Sequence, residues 1–196
     1  MTDSFWDGEA TPAGVFNVAD DYDRYTDLQA TFIVDRIRAD FADVILDLGC
    51  GIGRLTMAVA DQYGGEVVGV DSSPVMIREA TARRTGRVSF RLNDGETLPP
   101  VEGLSGMFSV LMFQHVDDVT AATYLGDVAW QLWRWSYTVS QWVTRGASGP
   151  LAYPRSRKRI RELHEDAGLV VVEVVNDRDV TGYVDEWVWV VAQKRL

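Results

Sequence analysis

The residues best suited to chemistry are Asp47, Asp71, Asp94 and His115, each following an apolar run. Asp47 opens the series Asp47-x-Gly49-x-Gly51-x-Gly53. An apolar stretch that breaks into alternate glycines and then resumes a helical pattern reads as a buried strand turning sharply into a helix. Glycines at such a turn tolerate positive φ and let a ligand press against the backbone. An aspartate at the strand end can orient the glycine amides or accept from a ligand ammonium. The dinucleotide fingerprint needs G-x-G-x-x-G. Its last position falls on Arg54 when counted from Gly49 and on Thr56 when counted from Gly51, so it is excluded. A phosphate-cradling P-loop needs Gly-Lys-Ser/Thr after a longer gap, and no such tripeptide occurs. A tight strand–helix turn without a ligand is the alternative.

Asp71 lies 22 residues after Gly49. A carboxylate there can accept from both hydroxyls of a ribose, as in nucleotide-binding folds generally; a simple lead-in to Ser73-Pro74 is the competing reading. Asn93-Asp94-Gly95 is by itself a turn sequence. His115 is one of two histidines and could take a proton from a hydroxyl or amine, or simply line a pocket.

The elements that must place these residues follow from periodicity. Residues 20–38 read as a helix with Leu28, Phe32, Ile33 and Ile37 on one face, after a loosely ordered arm over 1–18. Strands are expected at 44–48, 66–71, 88–92, 107–113, 137–143, 169–175 and 187–193. Helices are expected at 54–63, 74–84, 117–135 and 155–167. Trp187, Trp189 and Val191 should share a face of the last strand. Ser73-Pro74 forms an N-cap and first-turn pair. Alternation of apolar strands with helices implies a parallel sheet covered on both faces. The last two strands, joined by only a short loop, imply an antiparallel pair. Ligands of such sheets bind at the carboxyl ends of the strands, where Asp47, Asp71, Asp94 and His115 fall.

Composition narrows the function classes. The 196 residues suit one domain, and such a chain buries about 70% of its unfolded surface. One cysteine, Cys50, forms no internal disulfide, and no Cys/His zinc pattern occurs. No apolar run long enough to span a membrane appears, and the acidic start lacks the features of a signal peptide; a cytoplasmic protein is expected. The net charge of −10 is wrong for a general nucleic-acid binder.

Taken together, residues 44–118 resemble class I S-adenosylmethionine-dependent methyltransferases of the small-molecule type. The resemblance is carried by Asp47-x-Gly49-x-Gly51-x-Gly53, by Val70-Asp71-Ser72-Ser73-Pro74-Val75-Met76, by Asn93-Asp94-Gly95-Glu96-Thr97-Leu98-Pro99, and by Phe113-Gln114-His115-Val116-Asp117-Asp118. It implies a doubly wound, mostly parallel seven-strand α/β sheet with helices on both faces and an antiparallel C-terminal hairpin strand. It implies one domain over 1–196, with an arm and lid helix over 1–43 and a Rossmann-like core over 44–196.

The resemblance also implies S-adenosylmethionine as cofactor and S-adenosylhomocysteine as product. Asp47, Gly49, Cys50 (through its backbone) and Gly51 would border the methionine part, Asp71 and Ser72 the ribose, and Met76 the adenine. Asp94 would accept from the adenine amino group, with Asn93 and Gly95 beside it. Phe113 and Gln114 would sit at the methionine end, His115 is the candidate base, and Tyr25 is a candidate lid contact. Methyl transfer is a displacement from a sulfonium that needs alignment and desolvation more than a strong base, so a base need not be involved. The implied partner is a small-molecule methyl acceptor with an O, N or C nucleophile, with no nucleic acid, membrane or metal, in a monomer or homodimer. A non-catalytic cofactor-binding module that works through a partner is the rival.

Two stretches depart from that pattern. Where relatives carry a Leu-x-Pro-Gly-Gly turn before the fifth strand, this chain has Trp130, Trp133 and Trp135 and no glycine; these rings are either core or walls of an apolar acceptor site. The run Arg155, Arg157, Lys158, Arg159, Arg161 reads as a patch for an acidic or phosphorylated acceptor, or as a solvated helix face with His164 at the surface.

Overall fold

The computed structural model describes residues 22–37, 43–132, 136–144, 153–183 and 186–194. In chain order these form α1 (Tyr22–Ile37), β1 (Val44–Leu48), α2 (Arg54–Tyr63), β2 (Glu66–Asp71), α3 (Pro74–Arg83), β3 (Val88–Leu92) and β4 (Leu104–Ser109). A 3₁₀ turn (Phe113–His115), α4 (Asp118–Gln131), β5 (Tyr137–Val143), α5 (Arg157–Asp166), β6 (Leu169–Asn176), α6 (Asp177–Thr181) and β7 (Trp187–Lys194) complete them. The seven strands make one sheet in the order β3-β2-β1-β4-β5-β7-β6. Pairing is parallel from β3 through β5, while β7 runs antiparallel to both β5 and β6. The order reverses between β1 and β4, which opens a crevice outside their carboxyl ends.

Both faces of the central strands are covered, so their side chains alternate between two apolar layers. Leu46, Leu48, Val68, Val70, Val188 and Val190 pack in the layer that holds α4 and α5. Ile45, Val67, Phe108, Val139, Trp189 and Val191 pack in the layer that holds α1 and α2. Trp189 and Val191 thus share a face, as expected. On α1 the buried face comprises Tyr25, Thr26, Gln29, Ala30, Phe32, Ile33 and Ile37. Leu28 lies off it, and its expected place is taken by the polar Gln29. The reason is Arg54, whose Nη2 donates to Gln29 Oε1 at 2.9 Å and whose Nη1 donates to Thr26 Oγ1 at 2.8 Å.

The fourth strand is shifted from its expected place. It covers Leu104–Ser109 rather than 107–113. The apolar run 110–113 leaves the sheet because Leu111 adopts φ +65°, and Phe113 begins the 3₁₀ turn. The helix α6 was not expected from the sequence; its five residues hide within a polar stretch.

His164 is not at the surface. It is fully buried, with Nδ1 2.7 Å from the Ile160 carbonyl. That carbonyl can only accept, so Nδ1 carries the proton and Nε2 accepts from Ser140 Oγ at 3.4 Å. Ser140 Oγ in turn accepts from Trp142 Nε1 at 2.7 Å. Burial holds the imidazole down to about 4, against an ordinary 6.5. A group with a lowered folded-state value contributes stability that is present above 6.5 and lost as pH falls towards 4, here roughly 3 kcal/mol. Urea unfolding of His164→Gln compared with the parent protein at pH 7 and pH 4.5 should show this slope in the parent alone. Identical slopes in the two proteins would refute the buried neutral imidazole.

Candidate functional site

The turn out of β1 is held to the end of β2. The amides of Gly49 and Cys50 both donate to the Val70 carbonyl at 2.9 Å, and the Gly51 amide donates to Asp71 Oδ2 at 2.8 Å. Asp71 Oδ1 accepts from the Ser73 amide at 2.9 Å, so one carboxylate joins the glycine loop to the start of α3. Ser109 Oγ, at the end of β4, donates to the Leu48 carbonyl at 2.8 Å.

The three glycines of the loop serve different ends. A Cβ on Gly49 would lie 2.5 Å from Cβ and Cγ of Met112, and one on Gly53 would lie 2.6 Å from the Phe90 ring. Those two positions are required by packing against the protein itself. Gly51 has φ +53° and nothing within 4 Å of where its Cβ would be. Of the three, Gly51 alone turns its backbone toward open space, beside the Asp71 carboxylate. That is the cradle a ligand could occupy.

The other expected residues gather around it. Ser72 at the end of β2 and Gly95 after β3 face one another, a Gly95 Cβ falling 3.4 Å from Ser72 Cβ. Met76 is buried with Ile52 and Val75 just behind the loop. The Asn93 amide donates to the Asp71 carbonyl at 3.0 Å. Its side-chain Nδ2 lies 3.0 Å from the Tyr124 hydroxyl, and its buried Oδ1 has no hydrogen-bond partner. Asp94 is committed to its own turn: it accepts from the Glu96 and Thr97 amides, both at 2.8 Å, and from Thr97 Oγ1. Those amides hold its carboxyl below the ordinary range. Gln114 Nε2 stands 3.0 Å from His115 Nε2; an amide nitrogen only donates, so that contact places the lone pair on Nε2.

Two expected contacts sit elsewhere. The Phe113 ring is fully buried and stacks on Trp142 with centroids 4.4 Å apart, and its carbonyl accepts from Arg155. Tyr25 is also buried, with its hydroxyl donating to Asp177 Oδ2 at 3.2 Å. Asp177 accepts as well from Gln141 Nε2, Trp189 Nε1 and Thr181 Oγ1. This hub at the carboxyl ends of β5 and β6 anchors α1, and nothing in the sequence marked Asp177 out. Cys50 is buried and its thiol is pushed well above the ordinary value by burial, so its contribution is backbone only.

Apart from the buried Arg155, the basic run is a solvated helix face whose cations have acidic or polar neighbours. Arg155 and Arg159 pair with Asp118, Lys158 with Glu162, and Arg161 with Glu165, while Arg157 donates to Asn176 Oδ1. Trp130 is 84% exposed; Trp133 and Trp135 lie outside the described residues, as do the arm over 1–18 and most of the loop over 145–154. Among the described residues no His, Cys, Asp and Glu cluster is gathered to hold a metal, and no helix is long and apolar enough to cross a membrane.

Asp47 is buried on the α2 face of β1 and accepts from Thr56 Oγ1 at 2.6 Å. Burial raises its carboxyl to about 7, and the nearby Asp71 adds to this, while the Thr56 bond and Arg54 oppose it. The folded protein therefore keeps a proton that the unfolded chain releases, and stability falls as pH rises from about 4 to about 7. This slope opposes that of His164. Asp47→Asn keeps the Thr56 bond and removes the titration, so in urea unfolding it should gain a few kcal/mol over the parent at pH 8 and little at pH 4. An equal gain at both pH values would contradict the buried carboxyl.

Comparison with known proteins agrees with the geometry. A model described as a methyltransferase domain matches residues 45–132. A trans-aconitate 2-methyltransferase of Methylobacterium radiotolerans is 31% identical over 101 residues, which is 50% of this chain and 38% of that protein. This chain thus matches well under half the length of that relative. A Haloferax volcanii methyltransferase structure, determined in complex with the Trm112 activator, covers 97% of this chain and 98% of its own, with TM-score 0.76 and 21% identity. Magnesium protoporphyrin IX methyltransferase of Synechocystis, solved with bound S-adenosylmethionine, covers 87% of this chain and 78% of its own, with TM-score 0.67 and 18% identity. Residues 45–132 thus match a methyltransferase domain, and the chain shares the Rossmann-like fold of these methyltransferase structures.

Proposed function

We propose that this chain is a cytoplasmic S-adenosylmethionine-dependent methyltransferase that acts on a small-molecule acceptor, within a single domain whose α1 serves as the lid. The observation that carries the reading is the open backbone at Gly51 beside the Asp71 carboxylate, at the point where the strand order reverses. Asp71 would accept from the ribose hydroxyls. Ser72, Met76, Asn93 and Gly95 would border the adenine, with the orphaned Asn93 Oδ1 as an acceptor for its amino group beside the already committed Asp94. Asp47 would accept from the ammonium of the methionine part, losing as the cofactor binds the proton that burial holds on it up to about pH 7, next to Gly49, Cys50 and Gly51.

The cofactor, when bound, supplies an electrophilic methyl group on a sulfonium. The part of the chain is then to align a nucleophile with it and exclude water, the terms that dominate such a displacement. Gln114 and His115 lie on the turn after β4, whose Met112 stands against Gly49 of the glycine loop. If the acceptor must lose a proton, His115 Nε2 would take it in exchange for the Gln114 amide that it accepts from in this structure.

A second reading, a cofactor-binding module that acts through a protein partner, is favoured by the exposed Trp130 on α4 and by the Trm112 complex among the structural relatives. Consumption of S-adenosylmethionine with a panel of O, N and C nucleophiles separates the two, since only an enzyme turns it over.

Calorimetry with S-adenosylhomocysteine tests the cofactor site directly. Asp71→Ala should weaken binding at least tenfold, the range expected when hydrogen bonds to a charged group are lost. Gly51→Ala should cost about 1 kcal/mol of stability through its left-handed backbone yet block binding, whereas Gly49→Ala should act mainly on stability, through Met112. Full binding by Asp71→Ala and Gly51→Ala would remove the cofactor site from this loop.

A further inference from the structure

We propose that Arg155 is a positioning residue for the candidate site, fixing the turn that carries Gln114 and His115 and whose Met112 stands against Gly49 of the glycine loop; its functional meaning rests on the methyltransferase reading above. Arg155 comes from the segment before α5, far from the turn in sequence, and is only 4% exposed. Its Nη1 donates to the Phe113 carbonyl at 2.7 Å and its Nη2 to the Val116 carbonyl at 2.6 Å. Its Nε donates to Asp118 Oδ1 at 2.7 Å. The guanidinium lies over the Trp142 ring at 5.3 Å, and Trp142 stacks on Phe113. The neighbouring Tyr153 amide donates to the Gln114 carbonyl at 2.7 Å, and the His115 amide closes on the Met112 carbonyl at 2.9 Å.

The backbone acceptors of Met112, Phe113, Gln114 and Val116 are thus all engaged. What the turn offers outward is the partly exposed side chains of Gln114 and His115.

Three points separate this from a generic ion pair. First, Asp118 already has a cation in Arg159, whose Nε donates to Oδ2 at 2.6 Å, so charge balance does not require Arg155. Second, the fork that spans two carbonyls and a carboxylate needs a planar guanidinium, which a lysine ammonium cannot reproduce. Third, the turn is in register with the loop through Met112 against Gly49 and enters through Leu111 in the left-handed region. That conformation costs a leucine roughly 1–2 kcal/mol and persists only when its surroundings over-determine it. Arg155 supplies that constraint from outside the strand.

The test uses the full chain as Arg155→Ala, Arg155→Lys and, as control, Arg159→Gln, which removes a partner of Asp118 without touching the turn. Three quantities are read: S-adenosylhomocysteine affinity by calorimetry, the His115 imidazole resonance by NMR, and thermal unfolding. The chain has two histidines, so His115→Gln assigns the resonance. Arg155→Ala should shift the His115 resonance and weaken binding about tenfold, and guanidinium ion at a sub-denaturing concentration should restore both. Arg155→Lys should show the same resonance shift without rescue, and it carries the test if the alanine variant does not fold. Arg159→Gln should leave the resonance and the affinity in place. An unmoved His115 resonance in a folded Arg155 variant overturns the proposal, as does an equal shift in Arg159→Gln. If the parent protein binds no S-adenosylhomocysteine, the methyltransferase reading fails, while the His115 resonance still decides the role of Arg155.

Discussion

The carbonyl of Val70 accepts two consecutive amides, from Gly49 and Cys50, and most of the site depends on that junction. It forces the chain leaving β1 to bend over the end of β2 rather than continue along the sheet. The bend brings the Gly51 amide to Asp71 and points α2 back across the sheet with its first turn beside Asp47. A residue with a side chain at Gly49 would strike Met112, so the same bend also sets how closely β4's continuation can approach. The ends of β1 and β4 are therefore held by backbone bonds together with the side chains of Ser109, Met112 and Asp71.

Around this junction the protein keeps several charged groups away from water. Asp47 is buried against one hydroxyl, Asp177 against four donors, and Arg155 against four acceptor groups. Buried ionisable groups are costly unless their hydrogen bonds are met, and Asp177 and Arg155 each tie together elements distant in sequence. Asp177 joins α1, β5 and β7; Arg155 joins the turn after β4 to the segment before α5. His164 and Asp47 have opposite pH slopes across the same range, so their effects on stability partly offset one another.

The spread of acidic groups along the carboxyl edge also explains why the glycine loop alone is ambiguous. Gly49 and Gly53 are required for packing whether or not a ligand binds. The information lies in Gly51, which has no packing reason to be glycine apart from its φ, and in the carboxylate that meets its amide.

The strands β1, β2, β3 and β5 and the helix α2 were readable residue for residue: β1 and β2 as apolar runs beside glycine turns, β3 and β5 as short stretches rich in β-branched and aromatic residues. So was the placement of Asp47, Asp71 and Asp94 at successive strand ends, since strand ends follow directly from strand positions. Local pattern failed where a distant partner decides. The run 107–113 looks like one strand, but Leu111 breaks it and Phe113 turns onto Trp142. His164 sits in a strongly charged helix yet is buried, because Ser140 and the Ile160 carbonyl satisfy both its nitrogens. Arg155 reads as one cation in a basic run, although it is buried on backbone carbonyls 39 and 42 positions away. By itself the sequence determined the ends of β1, β2 and β3 and the glycine loop between the first two. Only the tertiary structure decided which glycine stands open, which acid is already committed and which arginine holds the turn, because burial and hydrogen bonding are set by neighbours that no local window contains.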